Sequence, residues 1–364
     1  MTVRDVIREL DSIAPLAYAE DFDNVGLLVG NPQQEVTGIL VTLDTLESVV
    51  DEAIDKDCNC IVSFHPIIFK GLKKITGSNY VEKAVMRAIR NDVAILCIHT
   101  ALDNALEGVN DRICEQLDLL NRKILIPKEE TIRKLTTYVP AEKHENVRKA
   151  LFEAGAGEIG KYSNCSFNID GTGTFKGDDT STPSYGEKGV FHSEKEINLT
   201  LTFQKHLESG ILKALFEAHP YEEVAFEVIT LNNANQTIGM GMIGDLKTPM
   251  NEQDFLNFVK TRMNTSLIRH SALNKKTIKK VAVLGGSGSF AISSAQNAGA
   301  DAYITADLKY HDFFQANESL LLMDIGHYES EQYTKSLLVQ NLKKKMPNFA
   351  VILSDINTNP VKYF

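Results

Sequence analysis

The sequence predicts an α/β protein in which both ends of the chain form one layered core domain and a smaller domain is inserted between them. Short apolar strands rich in Val and Ile alternate with amphipathic helices over residues 1–127. The same alternation returns after residue 232, whereas the residues between resemble half-buried strands. We therefore expect the first half of the core domain at 1–127, the inserted domain at 128–231 and the second half of the core domain at 232–364.

The first part of the core is predicted to begin with a helix, since apolar residues from Val3 to Leu10 recur at helical spacing. A strand in GILVTLD follows, and a helix opens at about Thr45. The next strand runs through CNCIVSF to about His65. A helix, a strand and a helix are then predicted in VEKAVMRAIRND, VAILCIHT and VNDRICEQLDLL.

The middle part repeats a β-α-β pattern on either side of a polar stretch. IRKLTTYVP and INLTLTFQ alternate apolar and polar residues, and each precedes a helical segment. VAFEVITL closes the second unit as a strand, while residues 162–194 are rich in Gly, Ser and Thr and are predicted as loop. This order predicts a small ferredoxin-like α+β module.

The second part of the core resumes after NNANQTIGMGMIGDL. KKVAVLGGSGSF predicts a strand running into a glycine turn, and ISSAQNAGA predicts a helix. DAYITAD and LLLMDIGH are predicted strands, ESEQYTKSLLVQNLKK is a predicted helix, and AVILS is the last strand.

Composition narrows the class of protein. The formal net charge is −10, which argues against non-specific nucleic-acid binding but does not exclude binding of a small phosphorylated ligand. The five cysteines are odd in number and show no C-x-x-C spacing, so a reducing compartment is expected. No apolar signal region and no apolar run of ~20 residues is present, which predicts a cytoplasmic protein that does not enter a membrane.

Three strand ends carry side chains that bind metals. His65 stands at the strand end in IVSFHP, His99 and Asp103 lie in ILCIHTALD, and His327 and Glu331 lie in LLMDIGHYESE. In α/β sheets, ligands bind outside the ends of strands, and imidazole and carboxylate groups suit zinc, manganese or iron. His327 and Glu331 also stand four residues apart, so a helix would place them on one face.

Each of these residues has a simpler interpretation when taken alone. His65 is an ordinary strand-end histidine, Asp103 a cap or turn residue, and His327 with Glu331 a helix-start pair favoured by the helix dipole. The metal hypothesis depends on three such sites occurring in one chain.

A glycine turn is the second candidate site. Gly285, Gly286, Ser287 and Gly288 lie between an apolar strand and a helix, where backbone amides bind anions. The match to a dinucleotide fingerprint is loose, and no G-K-[ST] follows, so a P-loop is excluded. The alternative is a tight turn that permits close helix–sheet packing.

Two further segments contain candidate residues. Lys309 and His311 in DLKYHD would serve a phosphate or a proton transfer, the alternative being a charged helix start. The segment HPYEE, from His219, is interpreted as a turn between a helix and a strand.

Together these segments resemble the Nif-three-like family (NGG-interacting factor three), whose bacterial members are often labelled GTP cyclohydrolase 1 type 2 homologues. The match covers 1–126 and 235–364. The matching segments are Asp23-Asn24-Val25-Gly26-Leu27, His65-Pro66, His99-Thr100-Ala101-Leu102-Asp103, Gly285-Gly286-Ser287-Gly288, Thr305-Ala306-Asp307 with His311, and Gly326-His327-Tyr328 with Glu331. The inserted module, including HPYEE, resembles the PII-like or CutA-like domain of longer bacterial members.

The resemblance implies a two-metal site. The family's paired histidines before proline fall on positions 64 and 65, and Phe64 replaces the first of them here. One metal would keep His65, Asp103 and Glu331, whereas the second would keep only His327 and the shared Glu331. We therefore expect one well-occupied divalent metal, zinc by preference and manganese or iron as alternatives. The second is expected to be weak, absent or rescued by another group.

The favoured hypothesis is a metal-dependent hydrolase of a small nucleotide-like or phosphorylated substrate. His99 or His311 would carry protons, His99 being also close enough to Asp103 to replace the missing ligand or to orient one. The alternatives are a non-enzymatic metal-binding, metal-delivery or regulatory assembly protein, and a nucleotide-binding module that uses the glycine turn. The resemblance also implies a ring-like homo-oligomer, usually a hexamer, with the inserted modules over the ring openings.

Overall fold

The computed structural model describes all 364 residues, which divide into two compact units. The core unit comprises Met1–Pro127 and Thr237–Phe364, and the insert unit comprises Lys128–Gln236. The mixture of helices with parallel and antiparallel sheets confirms the predicted α/β class. None of the helices combines the length and apolar character that crossing a membrane requires.

The first sheet of the core unit has five strands. They are β1 (Gly26–Val29), β2 (Ile39–Thr42), β3 (Cys60–Ser63), β4 (Ala94–Cys97) and β15 (Val351–Leu353). Their order is β1-β4-β3-β2-β15, and all are parallel except β1, which is antiparallel to β4. Every residue of β2, β3 and β4 is buried, because both faces of the sheet are covered; this explains their continuous apolar runs.

The second sheet of the core unit has six strands. They are β5 (Leu120–Pro127), β10 (Gly239–Asn251), β11 (Arg269–His270), β12 (Thr277–Ser287), β13 (Ala302–Ala306) and β14 (Leu321–Asp324). Their order is β11-β14-β13-β12-β10-β5, with β12, β13 and β14 parallel. β5 and β10 are antiparallel, and Pro127 pairs with Gly239 where the chain leaves and re-enters the core unit.

Helices cover both sheets. They are α1 (Val3–Ile13), α2 (Glu47–Asp55), α3 (Tyr80–Arg90), α4 (His99–Asp103), α5 (Val109–Gln116), α8 (Glu252–Arg262), α9 (Ile292–Asn297), α10 (His327–Glu331) and α11 (Thr334–Lys345). The largest apolar cluster joins one face of each sheet, with Val62 and Leu96 from the first and Val283 and Ile304 from the second. Helices α2 and α3 pack on the other face of the first sheet, and α9 packs on the second.

The insert unit is a four-stranded antiparallel sheet with two helices. It contains β6 (Ile132–Pro140), β7 (Phe167–Lys176), β8 (Phe191–Gln204), β9 (Phe226–Leu231), α6 (His144–Glu153) and α7 (Glu208–Ala218). The strand order is β7-β8-β6-β9. Leu135 and Leu199 pack against Val147 and Ile211, so both helices lie on one face of the sheet.

Several regions differ from the sequence-based prediction, which gave no strand for β1 or β5. β7 lies within the segment that we expected to be loop. The strand was missed because most of its residues are exposed and show no apolar alternation. Its ten residues pair with β8 from Phe167 to Lys176. β10 and α8 occupy residues 239–262, for which no element was predicted. Asn251, whose side chain accepts a hydrogen bond from the Asp254 amide, is the helix-start signal that could have located α8.

Candidate metal centre

The side chains that follow the parallel strands meet between the two sheets of the core unit. After β3, the amides of Phe64 and His65 donate to the carbonyls of Thr42 and Leu43, at 3.1 and 2.9 Å, which continues the strand pairing to His65. From the second sheet, β14 leads into α10, whose first and last residues are His327 and Glu331.

Glu331 lies at the centre of this group. Its Oε2 atom is 3.0 Å from His65 Nε2 and 3.2 Å from His327 Nε2. The three side chains offer ligand atoms within 4.8 Å of one another. His327 and Glu331 lie one helical turn apart, in line with their spacing in the sequence. The structure thus brings His65 and His327 to the same carboxylate oxygen, rather than separating them into two ligand sets.

Three buried atoms of the centre lack a hydrogen-bond partner of suitable geometry: His65 Nε2, Glu331 Oε2 and Asp103 Oδ1. Unsatisfied buried polar atoms are uncommon, and they indicate an ion or water that the protein groups are arranged to meet. Two imidazole nitrogens and two carboxylates form a donor set that suits a divalent cation. Asp103 lies outside the 4.8 Å group but lines a cavity together with His327 and Glu331. The residues present therefore fit a divalent ion.

A carboxylate behind each imidazole fixes its orientation. His65 Nδ1 lies 2.8 Å from Asp44 Oδ1, and His327 Nδ1 lies 2.7 Å from Asp307 Oδ2. Donation from Nδ1 leaves Nε2 with its lone pair directed into the centre, the arrangement found behind metal-binding histidines. Asp44 was not identified from the sequence, although it follows β2 as His65 follows β3. The strand-end rule would have located it.

Protons take the place of a cation when the centre holds none. Burial alone would lower the pKa of His65, but the hydrogen bond to Asp44 and the negative charge of Glu331, 3.0 Å away, raise it to about 10. The pKa of His327 rises to about 11 because Asp307 and Glu331 outweigh the same burial effect. Burial and the nearby Glu331 charge raise the pKa of Asp103 well above its ordinary value. A divalent cation would replace these protons, so metal and proton compete for the centre.

His99 lies beside the centre. It begins α4 with a φ of +21°, and its ring centroid is 5.3 Å from that of His65. His99 Nδ1 lies 2.8 Å from Asp23 Oδ1, and the amide of Thr100 donates to the other oxygen of Asp23 at 3.1 Å. Burial alone would raise the pKa of Asp23, but hydrogen bonds from His99 and Thr100 lower it to about 2. A charged Asp23 therefore holds the His99 ring in one orientation.

The glycine turn has a different role from the predicted anion-binding loop. The amide of Gly285 donates to Asn110 Oδ1 and that of Gly286 to Ser330 Oγ, both at 3.0 Å, so neither is available to an anion. Gly286 has a φ of +69°, and a Cβ there would lie 2.5 Å from Glu331 Oε1. The glycine thus makes room for the central carboxylate.

The rest of the turn is also occupied. Ser287 Oγ donates to Asp307, the carbonyl of Gly288 accepts from the Tyr303 hydroxyl at 2.8 Å, and the following α9 has only six residues.

His311 is not part of the centre. It lies exposed in a 3₁₀ helix, Tyr310–Ala316, where its ring contacts those of Tyr310 and Phe314. It lines neither cavity beside the centre. The 3₁₀ helix that follows β13 leaves its side chain on the surface. This position does not support the predicted role of His311 as a proton carrier.

Two cavities flank the centre. One, of about 270 Å³, is lined by His99, Asp103 and Glu331, with Phe22, Phe69 and Phe290 among its walls. The other, of about 440 Å³, is lined by Asp44, His65 and His327 and by the guanidinium-bearing Arg269. Ligands can therefore approach the centre from two sides.

Phe64 occupies the position of the missing histidine. Its side chain is fully buried in the main apolar cluster. Its ring centroid lies 4.9 Å from that of His65 and 5.5 Å from that of His99. Position 64 therefore borders both imidazoles but supplies no ligand atom.

Comparison with known proteins gives matches over almost the whole chain. A family described as Duf34/NIF3 (NGG1p interacting factor 3) matches residues 1–360. A Bacillus subtilis (strain 168) protein named GTP cyclohydrolase 1 type 2 homolog is 36% identical, over 99% of this chain and 98% of that one. The crystal structure of a Bacillus cereus protein related to NIF3 superposes with a TM-score of 0.86 at 36% identity, covering 100% and 99% of the two chains. Staphylococcus aureus protein SA1388 gives a TM-score of 0.80 at 30% identity, with the same coverage.

Proposed function

Because the chain belongs to the Duf34/NIF3 (NGG1p interacting factor 3) family, we propose that it is a divalent-metal-dependent hydrolase of a small nucleotide-like or phosphorylated substrate. The metal ligands in this proposal are His65, Asp103, His327 and Glu331. The observation that carries it is the set of unsatisfied buried atoms on His65, Asp103 and Glu331, which point to a cation between them. Zinc suits these nitrogen and oxygen donors, and manganese or iron are alternatives.

A bound divalent ion would supply Lewis acidity and would lower the pKa of water to ~7. The protein's own groups orient and exchange protons. Asp44 and Asp307 keep the Nε2 atoms of His65 and His327 directed inward. Asp23 holds His99 Nδ1, so Nε2 is the nitrogen of His99 left to exchange a proton with a ligand in the 270 Å³ cavity.

The substrate class is inferred from the relatives' names and from the cavity wall. Relatives carry the name GTP cyclohydrolase 1 type 2 homolog, which suggests a nucleotide. Phe22, Phe69 and Phe290 line the cavity and are exposed by 66%, 47% and 57%. Exposed aromatic faces beside a hydrolytic centre provide stacking surfaces for a planar heteroaromatic ring.

The test is a hydrolysis assay with GTP, other nucleoside triphosphates and nucleoside monophosphates. We expect turnover of at least one member that disappears on chelation, returns with zinc or manganese, and is lost in Asp103→Asn. Asp51→Asn, a change on α2 that weakens an ion pair with Arg87 and does not touch the centre, is the matched control and should retain activity. Activity that survives both chelation and Asp103→Asn would contradict the proposal.

Phe64 favours a second candidate, a non-enzymatic metal-binding, metal-delivery or regulatory assembly protein. A site that lacks one ligand position holds a second ion weakly, and two-metal chemistry then fails. The Phe64→His variant separates the two candidates. If it gains a second metal together with a sharp rise in hydrolysis, the centre is of the catalytic type. If it gains a metal without hydrolysis, the binding function is favoured.

The insert and the assembly complete the proposal. The insert unit is proposed to be a PII-like or CutA-like sensing module, supported by its two β-α-β halves and its single antiparallel sheet.

The chain is proposed to form a homohexamer. Light scattering during size-exclusion chromatography should then give six times the chain mass of 40.4 kDa, and a monomer or dimer would contradict it.

A further inference from the structure

The final segment of the core unit, residues 354–364, lies beside the metal centre. It follows β15, and no element or motif was predicted in it from the sequence. Four of its residues line the cavity of about 440 Å³ that Asp44, His65 and His327 also line. These four are Asn359, Pro360, Val361 and Tyr363. A part of the chain outside every recognised motif therefore forms one side of the site.

Contacts with α2 hold the start of this final segment. Glu52 of α2 accepts from the Asp355 amide at 2.8 Å and from the Ser354 hydroxyl at 2.5 Å. Lys56 Nζ lies 2.7 Å from Glu52 Oε1 and 2.7 Å from Asp355 Oδ2. None of these residues belongs to the metal centre. The segment thus stays in place when a single hydrogen bond further along it is removed.

Thr358 contacts the carboxylate behind His65. Its side chain is buried, and its hydroxyl donates to Asp44 Oδ2 at 2.5 Å. The other oxygen, Asp44 Oδ1, lies 2.8 Å from His65 Nδ1. The last torsion of an aspartate side chain has a broad range of allowed angles, so hydrogen bonds on both oxygens are needed to fix the plane of the carboxylate. Thr358 therefore restrains the group that orients His65.

A hydroxyl behind the carboxylate is a repeated feature of the centre. Each of three imidazoles meets an aspartate through Nδ1, and each aspartate accepts from a serine or threonine hydroxyl. The three sets are His65 with Asp44 and Thr358, His99 with Asp23 and Thr100, and His327 with Asp307 and Ser287. Thr100 and Ser287 lie in the predicted motifs, whereas Thr358 lies outside them. The repetition indicates that the Thr358 bond serves the centre and not only the packing of the final segment.

The next residue, Asn359, contacts the helix that carries the other ligands. Its Nδ2 atom donates to Glu329 Oε1 at 3.0 Å, and its Oδ1 atom accepts from the Val361 amide at 3.0 Å. Glu329 is buried and lies in α10 between His327 and Glu331. Asn359 is thus hydrogen-bonded to the element that supplies two of the four proposed ligands.

The two contacts join the halves of the centre. His65 follows β3 of the first sheet, whereas His327 and Glu331 belong to α10, which follows the second sheet. One ion binds donors from both halves only if these donors are held within about 0.5 Å of the required geometry. Two consecutive residues, each hydrogen-bonded to a different half, meet this requirement.

We propose that Thr358 and Asn359 are positioning residues of the metal centre. Thr358 acts on His65 through Asp44, and Asn359 acts on α10 through Glu329. This role rests on the proposed divalent-metal site, but it holds whether or not the centre hydrolyses a substrate.

Zinc affinity, measured without substrate by competition with a chromophoric chelator, tests the role of Thr358. Thr358→Val keeps the shape of the side chain, and we expect it to weaken zinc binding about three- to tenfold, the factor that one hydrogen bond contributes. Thr358→Ser should bind zinc within about twofold of the original protein, because its hydroxyl can make the same bond. Thr137→Val is the matched control. It removes another buried threonine hydroxyl, which donates to the Ala225 carbonyl at 2.9 Å in the insert unit, and should leave the affinity unchanged.

The visible spectrum of the cobalt(II)-loaded protein separates positioning from a loss of stability. Cobalt(II) accepts the nitrogen and oxygen ligands that zinc does, and its absorption bands depend on their geometry. We expect Thr358→Val and Asn359→Ala to change these bands, and Thr358→Ser and Thr137→Val to reproduce the original spectrum. Asn359→Ala protects the test against misfolding, because Asn359 is only half-buried.

Unchanged zinc affinity and an unchanged cobalt spectrum in both Thr358→Val and Asn359→Ala would overturn the proposal and leave the metal site standing. Equal weakening by Thr358→Ser and Thr358→Val would also overturn it, since the hydroxyl would then have no role. Failure of the original protein to bind either ion would contradict the metal site itself, and the positioning role with it. Zinc binding without any hydrolysis would contradict only the proposed hydrolase.

Discussion

At the scale of single residues, the metal centre depends on the carboxylates behind its imidazoles. Asp44 accepts from His65 Nδ1 and so fixes which nitrogen faces the ion. We expect Asp44→Ala to weaken zinc binding about 10- to 100-fold, because His65 then loses both its orientation and its charge partner. Competition with a chromophoric chelator measures the affinity. Asp51→Ala, which removes a carboxylate that pairs with Arg87 and does not touch the centre, should bind zinc normally. Equal zinc affinities of the original protein, Asp44→Ala and Asp51→Ala would exclude this role of Asp44.

Alanine substitutions at Gly286 and Gly299 separate the effect of backbone strain from the effect of disturbing the metal centre. Both have positive φ, +69° and +73°, but a Cβ at Gly286 meets Glu331 Oε1 at 2.5 Å, whereas one at Gly299 meets nothing within 4 Å. Alanine at either position costs about 1–2 kcal/mol of strain. We expect Gly299→Ala to lower the melting temperature while keeping its metal, and Gly286→Ala to lose both stability and metal. Retention of metal in Gly286→Ala would mean that Glu331 can move aside.

At the scale of elements, the start of α3 depends on a carboxylate. Glu82 accepts from the amides and hydroxyls of Thr76 and Ser78, at 2.8–3.0 Å, and from Asn79 Nδ2 at 2.9 Å. These hydrogen bonds lower the pKa of Glu82 from 4.5 to about 2, and the bond from the Ser78 amide has the largest effect. Because the folded pKa is depressed, this stabilisation is present above about pH 4.5 and is lost as the pH falls through about 2.

Glu82→Gln should therefore lower the melting temperature at about pH 7 and have a smaller effect near pH 2–3. Melting curves of the two proteins across this range provide the measurement. A difference that stays constant with pH would show that the charge of Glu82 contributes nothing to the loop.

The elements also show where sequence reasoning succeeds and fails. His65 and His327 were identified because buried parallel strands are continuous apolar runs, so a polar residue at their end is conspicuous. β7 was missed because an exposed strand carries no apolar alternation; only its pairing with β8 defines it. His311 was predicted as a proton carrier from its residue type and the DLKYHD motif, but the 3₁₀ helix around it leaves its ring exposed.

At the scale of the whole molecule, the chain leaves and re-enters the core unit at residues that pair with each other. Pro127 and Gly239 are partners of the antiparallel strands β5 and β10. A short Gly-Ser turn in place of residues 128–236 should therefore close the hairpin and leave the core unit folded. We expect this variant to bind zinc as the full chain does. An unfolded product, judged by circular dichroism, would show that the core unit needs the insert.

The α/β class and the family could both be predicted from the sequence, because strand–helix alternation and several ordered motifs extend through both chain ends. The centre itself was predictable only in part. Asp44 and Asp307 lie 21 and 20 residues from the imidazoles they hold, so neighbouring strands, not local sequence, bring them together. The role of Gly286 depends on the position of Glu331, which belongs to α10, so a local motif around Gly286 cannot show it.

Metal content, measured by elemental mass spectrometry on purified protein, tests the central claim most directly. The geometry predicts about one divalent ion per chain, lost in Asp103→Asn and in Glu331→Gln and retained in Asp51→Asn. Phe64→His should raise the content towards two. No bound metal after incubation with zinc, manganese and iron would contradict the account, and so would a content that Asp103→Asn and Glu331→Gln leave unchanged.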